Sequence, residues 1–135
     1  MADITIFNPS TLAKPLGPLS HIARTKGAEL VFIAGQVAVD SAGNVVGSGD
    51  FDAQCVQVFA NIAVALDAVG GGWSNVVQFT TYLVRASDIA GFTSYRGREF
   101  PGMFPGGAYP PNTLLIVDRL AQEAFLIEVQ AIAAL

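Results

Sequence analysis

The stretches "ELVFIAGQVAV" and "TLLIVDRL" are apolar at consecutive positions rather than at alternate ones, and this limits what the chain can fold into more than any other feature. Neighbouring side chains of a strand leave on opposite faces. Val31 and Ile33 therefore share one face while Leu30 and Phe32 take the other, and Leu114 and Ile116 oppose Leu115 and Val117 in the same way. A sheet of such strands has to be covered on both sides.

The rest of the chain supplies too little cover. In "DFDAQCVQVFANIAVALDAVGGG", Val56, Phe59, Ile62, Ala63, Leu66 and Val69 recur at three- and four-residue spacing, with Asp50 and Asp52 at the positive end and three glycines as a stop. That pattern predicts a helix. A second helix is expected from "DIAGFTSYRGREF", with Ser87 as its N-cap, Phe92, Tyr95 and Glu99 on one face, and Pro101 and Gly102 disturbing its end. "NVVQFTTYLVR" reads as a strand, and "TLLIVDRL" and "AFLIEVQAIAAL" as two more, joined by a short polar link at residues 121–123. With a strand at residues 29–39 and the weak "ITIF" at the start, the order is β-β-α-β-α-β-β. The expectation is one α+β domain over residues 1–135, with two helices on one face of the sheet. The bare face calls for a second copy of the chain, in closed symmetry.

Composition agrees with that need. Only 13% of the residues are charged, against about 25% in an ordinary soluble domain. No apolar run approaches the ~18 uncharged residues of a membrane span, so the surplus apolar surface is expected at subunit contacts, not in a membrane. "MADITIFNPS" has an early Asp and no basic region before an apolar stretch, so a cytoplasmic protein is expected. One cysteine, Cys55, excludes an intramolecular disulfide framework, and one histidine, His21, leaves structural zinc without ligands, so no metal is expected. The net charge of −4, with Arg96 and Arg98 as the one local basic pair, argues against a nucleic-acid partner.

Few residues are chemically conspicuous. Glu128 interrupts the last strand between Ile127 and Val129, on the face of Gln130. A buried carboxylate is costly unless it is paired. Either it is solvated or paired with Arg119 across a final hairpin, or it faces a subunit cleft, orienting a water or accepting a substrate N–H. Gly35 and Gln36 end the first long strand with backbone that a ligand can approach closely, a pattern that a β-bulge explains equally. Arg96 either faces the same cleft or is a solvated helix residue. His21 lacks an identifiable partner for base chemistry, and Cys55 reads as a small core residue.

Taken in order, "GPLSHIA", "VFIAGQVAVD..GNVV", "AQCVQVFANIAVALDAVG", "VVQFTTYLV", "YPPNTLLIVDRL" and "IEVQAIA" resemble the reactive-intermediate deaminase family, also called Rid or YjgF, from about residue 16 to the end. The resemblance implies a chorismate-mutase-like fold and a homotrimer whose sheets form a central barrel, with small-molecule clefts between subunits. It also implies cofactor-free hydrolysis of imines and enamines such as 2-aminoacrylate to a keto acid and ammonia. Gly35, Gln36 and Glu128 match the family pattern, with Glu128 as the implied catalytic group. Deaminase-active members carry an arginine where this chain has Asn112, followed by Ser or Thr, here Thr113, and commonly a cysteine, here Leu114. A family tyrosine is Leu19, and a helix position that is usually Asn is Arg96. A neutral amide replaces poorly an arginine that holds a carboxylate by two charge-assisted bonds.

The leading expectation is an atypical family member with inter-subunit clefts, hydrolysing an imine or enamine on a substrate other than the usual 2-imino acids. Glu128 would assist proton movement, and Asn112 and Thr113 would offer hydrogen bonds. The alternative is a non-catalytic ligand-binding or regulatory trimer. Ribonuclease activity, a label some relatives carry, fits the acidic balance poorly.

Overall fold

The computed structural model describes residues 2–135. The first strands, β1 (Asp3–Phe7) and β2 (Ile22–Lys26), form an antiparallel pair separate from the main sheet. Then follow β3 (Leu30–Gln36), α1 (Phe51–Ala68), β4 (Val76–Leu83), α2 (Ile89–Met103), β5 (Asn112–Ile116) and β6 (Ile127–Ala134). The main sheet has the order β3-β6-β4-β5, with β6 antiparallel to both neighbours and β5 parallel to β4.

The expected order holds apart from β2, which the sequence reading passes over. "IARTK" carries two cations and no long apolar run, and it is held by backbone pairing with β1 from Asp3↔Lys26 to Phe7↔Ile22. A second correction concerns the end of the chain. β5 and β6 do not form a hairpin, because β4 lies between them. A third concerns α2, which begins at Ile89 after a short turn over Ala86–Asp88 and runs through Pro101 to Met103. Pro101 has no N–H to give the carbonyl of Gly97, four positions earlier, and its ring crowds that carbonyl, yet the helix continues for two further residues.

α1 begins and ends as its sequence predicts. Asp50 accepts a hydrogen bond from the Ala53 N–H at 3.1 Å. At the other end Gly70, at φ 74°, allows its N–H to reach the Asp67 carbonyl and that of Gly71 to reach Leu66, a Schellman closure that needs a left-handed residue.

Both helices lie on one face of the sheet. The core joins Cys55, Val58, Phe59, Ile62 and Leu66 of α1 and Phe92, Tyr95 and Phe100 of α2 to Ile33, Val76, Phe79, Leu83, Ile127, Val129, Ala131 and Ala133 of the sheet. On the opposite face Phe32 is 71% exposed, Leu30 49% and Leu115 39%. The terminal pair adds Ile4 and Ile6, which border a recess of about 240 Å³ with Trp73, Val76, Met103 and Phe104.

A polar staple crosses this core. Gln54, fully buried, donates through Nε2 to the carbonyls of Gly47 (3.1 Å) and Ala124 (2.7 Å) and accepts the Leu126 N–H at 2.9 Å. It thereby fixes the entry to β6 against the first turn of α1. Gln54→Leu keeps the volume but strands the buried Leu126 donor, so stability is expected to fall by about 2–3 kcal/mol. Urea unfolding checks this; a midpoint equal to that of the unaltered protein refutes it.

Candidate functional site

Alternation along β6 sends Ile127, Val129, Ala131 and Ala133 into the helix-covered core and Glu128, Gln130 and Ile132 to the open face. Register then names the neighbours of Glu128. Leu115, Tyr82 and Glu128 stand abreast across β5, β4 and β6, and Thr113, Thr80 and Gln130 form the adjacent rung. On the other flank, the pairing of β3 with β6 shifts between Ile33 and Gln36. Gly35 sits in that irregularity, and a Cβ added to it would lie 2.7 Å from Glu128 Cδ and 2.8 Å from Cγ. The two readings of this glycine are therefore compatible: the strand bulges here, and the missing side chain makes room for Glu128.

Glu128 is half-buried and joins no ion pair among the described residues. The proposed partner across a hairpin fails with the hairpin itself. Arg119 instead lies 3.8 Å from Glu123 and donates to the carbonyls of Leu120 and Ala121. Gln36 turns back to donate through Nε2 to the Ala34 carbonyl at 3.0 Å. Just beyond it, Asn61 of α1 donates to the carbonyls of Val37 and Val39, both at 3.0 Å, and so tethers the chain that leaves the bulge.

Asn112 lies on the other side of the sheet. It pairs in register with the core residue Phe79, and its Oδ1 accepts the Thr81 hydroxyl at 2.8 Å. Thr81 is buried, a participant no sequence motif announces. Leu114 shares that side and packs on the core, whereas Thr113 points to the open face. One protomer therefore does not bring Asn112 to Glu128, because the sheet separates them.

The two arginines of α2 divide. Arg98 is exposed and reaches Asp52 at 3.0 and 3.1 Å, which raises its pKa. Arg96 is not the solvated helix residue that its type suggests. It is 7% exposed, its guanidinium carbon lies 4.3 Å from the Phe92 ring centroid, and Nε and Nη1 are buried without a hydrogen-bond partner among the described residues. Burial holds its pKa below the usual guanidinium value. Its Nη2 lies beneath Gly17, 3.9 Å from where a Cβ would stand. Gly17 and Leu19 also line an open surface recess of about 620 Å³ with Asn8, Leu12 and Lys14.

The remaining candidates have structural work. His21 Nε2 donates to the Ala13 carbonyl and its backbone N–H to Asn8 Oδ1, both at 2.7 Å, pinning the loop between β1 and β2. Cys55 is fully buried, and burial first, then the charge of Asp52, push its thiol up to about 12. It therefore stays protonated and unreactive at neutral pH.

Comparison with known proteins bears on this geometry. The family model for Endoribonuclease L-PSP matches residues 10–135. A RutC family protein of Synechocystis sp. is 30% identical over 131 residues, 96% of this chain and 95% of that protein. A RutC family protein of Pyrococcus horikoshii is 33% identical over 120 residues, 89% of each. The solved structure of YyfB from Yersinia pestis, a protein of unknown function of the conserved Rid family, superposes with a TM-score of 0.86 at 31% identity, covering 98% of both chains. RidA from an Antarctic Psychrobacter, at 24% identity and a TM-score of 0.68 over 97% of this chain and 99% of that one, shares the fold. The chain has the chorismate-mutase-like α+β fold and belongs to the Rid/YjgF family, the family of the Endoribonuclease L-PSP model.

Proposed function

We propose that the protein is a cytoplasmic homotrimer that binds a small molecule between subunits and hydrolyses an imine or enamine there without a cofactor. The observation that carries this reading is Glu128: a carboxylate with no ion-pair partner among the described residues, set against the bare backbone of Gly35 on an uncovered apolar sheet face. Assembly through that face would bury Leu30, Phe32 and Leu115 and remove the carboxylate from bulk water. A second observation favours a site between copies. Gly35, Glu128 and Thr113 lie on the open side and Asn112 on the helix side, so a cleft using both sets needs two subunits.

The chemistry is balanced with one acid–base group. Water adds to the C=N carbon while Glu128 takes one of its protons and passes it to nitrogen, giving a carbinolamine; Glu128 then takes the carbinolamine hydroxyl proton and delivers it to the same nitrogen as the C–N bond breaks and the C=O forms, so that a carbonyl compound and ammonia or an amine leave. An enamine enters after tautomerising to the imine. Thr113 and the Nδ2 of Asn112 supply neutral hydrogen bonds, which suits a polar substrate group at that position better than a carboxylate. This departure from deaminase-active relatives also supports a second reading, a trimer that binds ligands and catalyses nothing. RNA cleavage has little support, since acidic side chains outnumber basic ones by 11 to 7.

The test is ammonia or amine release from freshly generated 2-aminoacrylate and from bulkier imines, with the assembly mass measured by sedimentation. Acceleration is expected, with the bulkier imines preferred, from a particle of three chains. Rates equal to buffer for every substrate, with saturable binding, would move the protein to the second reading.

A further inference from the structure

α1 packs one side into the core, yet its outer side is not the charged surface that such a helix normally turns to water. Asp52 and Asp67 are the only charged residues among its 18, and they stand near its two ends. Between them Val56, Ala60 and Val64 follow at four-residue spacing, a row that stays on one face of a helix. Val64 is 70% exposed and Val56 49%, and Ala60 between them is exposed as well. The result is an apolar ridge about 12 Å long, at the ~1.5 Å rise of each helical residue, with no charge on it.

This ridge is self-complementary. A two-fold axis passing Ala60 at right angles to the helix sets Val56 of each copy against Val64 of the other, with the two alanines meeting at the centre. Charge decides between the two possible directions. In a parallel pair Asp67 faces Asp67, and like ends of two helix dipoles lie together. In an antiparallel pair Asp67 of each copy comes to the first turn of the other copy's α1, where it meets the positive end of the dipole and Arg98 of α2. Arg98 is half-exposed, binds Asp52 through Nη2 at 3.0 and 3.1 Å, and makes no hydrogen bond through Nη1 among the described residues. Asp67 is exposed and joins no ion pair among the described residues. Each end of the antiparallel pair thus supplies a cation with donors to spare and a carboxylate without a partner.

We propose that the outer face of α1 is a contact surface for a second copy of this chain, paired antiparallel about Ala60 and closed at each end by Arg98 of one copy and Asp67 of the other. It is separate from the association through the open sheet face, because α1 lies on the covered side of the sheet and Phe32 on the uncovered one. One helix pair buries less than the ~1,200 Å² of a stable interface, so this contact joins whole particles reversibly at high concentration.

Sedimentation equilibrium from roughly 10 µM to 1 mM, the range in which a contact below standard size is read, tests this. The weight-average mass of the wild type is expected to rise about twofold or more from its dilute value, since each isologous contact joins two particles. Val64→Glu, which sets a charge on the ridge at an exposed position, should keep the dilute mass throughout with an unchanged urea midpoint. Arg98→Glu should weaken the association about fivefold or more by repelling the incoming Asp67. Adding Asp67→Arg to it should restore the wild-type curve, because the exchanged charges meet again across the contact. Phe32→Glu separates the two surfaces: it is expected to lower the dilute mass and to leave the concentration-dependent rise in place. A wild-type mass that stays constant over the whole range overturns the proposal, as does an undiminished rise in Val64→Glu. So does a charge exchange that recovers nothing, or a rise that Phe32→Glu abolishes, which would give the contact to the sheet face. A dilute particle of one chain instead of three, still rising in mass through α1, leaves this inference standing without the trimer.

Discussion

If the proposed imine hydrolysis runs through Glu128, Glu128→Gln is expected to lower its kcat/KM by about 10²–10⁴-fold, the usual contribution of a positioned general acid–base group, or roughly 3–5 kcal/mol of transition-state stabilisation. Glutamine has the same shape and is accommodated against Gly35, so the effect isolates the proton-transfer role from packing. Stability provides the control. No ion pair is lost with the carboxylate, so the urea midpoint should stay within about 0.5 kcal/mol of the wild type, as for substitutions that remove no named interaction. If the reaction used Glu128 only to hold substrate, KM would rise with kcat preserved, because uniform binding had been removed. A variant within threefold of the wild type in kcat/KM would refute the role altogether.

The elements with local causes are those that sequence reading finds. α1 is written in its spacing and in both of its ends, Asp50 and Gly70. The uncovered sheet face follows from Leu30, Phe32 and Leu115, whose alternation needs no tertiary information. β2 escapes because its pairing with β1, rather than an apolar pattern of its own, holds it in place. The misplaced hairpin has a different origin. Nothing local in "TLLIVDRL" says that β5 pairs with β4, and insertion of β4 beside β6 is decided by the whole sheet.

The candidate site divides along the same line. Gly35 and Glu128 are conspicuous in one dimension, as a missing side chain and as a misplaced charge. The burial of Arg96 is not, because an arginine on a helix reads as solvated until the fold brings Gly17 close to its guanidinium and Phe92 against it. Thr81 is likewise invisible, since its bond to Asn112 depends on a parallel register between strands separated by all of α2.

Phe59→Ala should cost about 3–5 kcal/mol, the range for removing a buried phenyl ring and a large part of the 5–15 kcal/mol that holds an ordinary domain together. Phe59 is 2% exposed and is the hub of the aromatic core. Its ring centroid lies 5.2 Å from Tyr95, 5.7 Å from Phe79 and from Phe100, 6.2 Å from Trp73 and 6.5 Å from Phe92. Those partners belong to β4, to α2 and to the turn before β4, so one residue of α1 holds together the elements that carry both halves of the site. Phe79 is three residues from Tyr82, the neighbour of Glu128 in register, and Phe92 and Tyr95 flank Arg96 on α2. The cavity left by alanine cannot close without moving the strand or the helix, because interiors of this density have few alternative packings. Urea unfolding measures the loss, with Val64→Ala, at a 70% exposed position on the outer side of the same helix, as the comparison expected to cost little. A loss below about 1 kcal/mol would mean that the aromatic cluster repacks freely around the gap, and Phe59 would then not be what fixes α2, and with it Arg96, against the sheet.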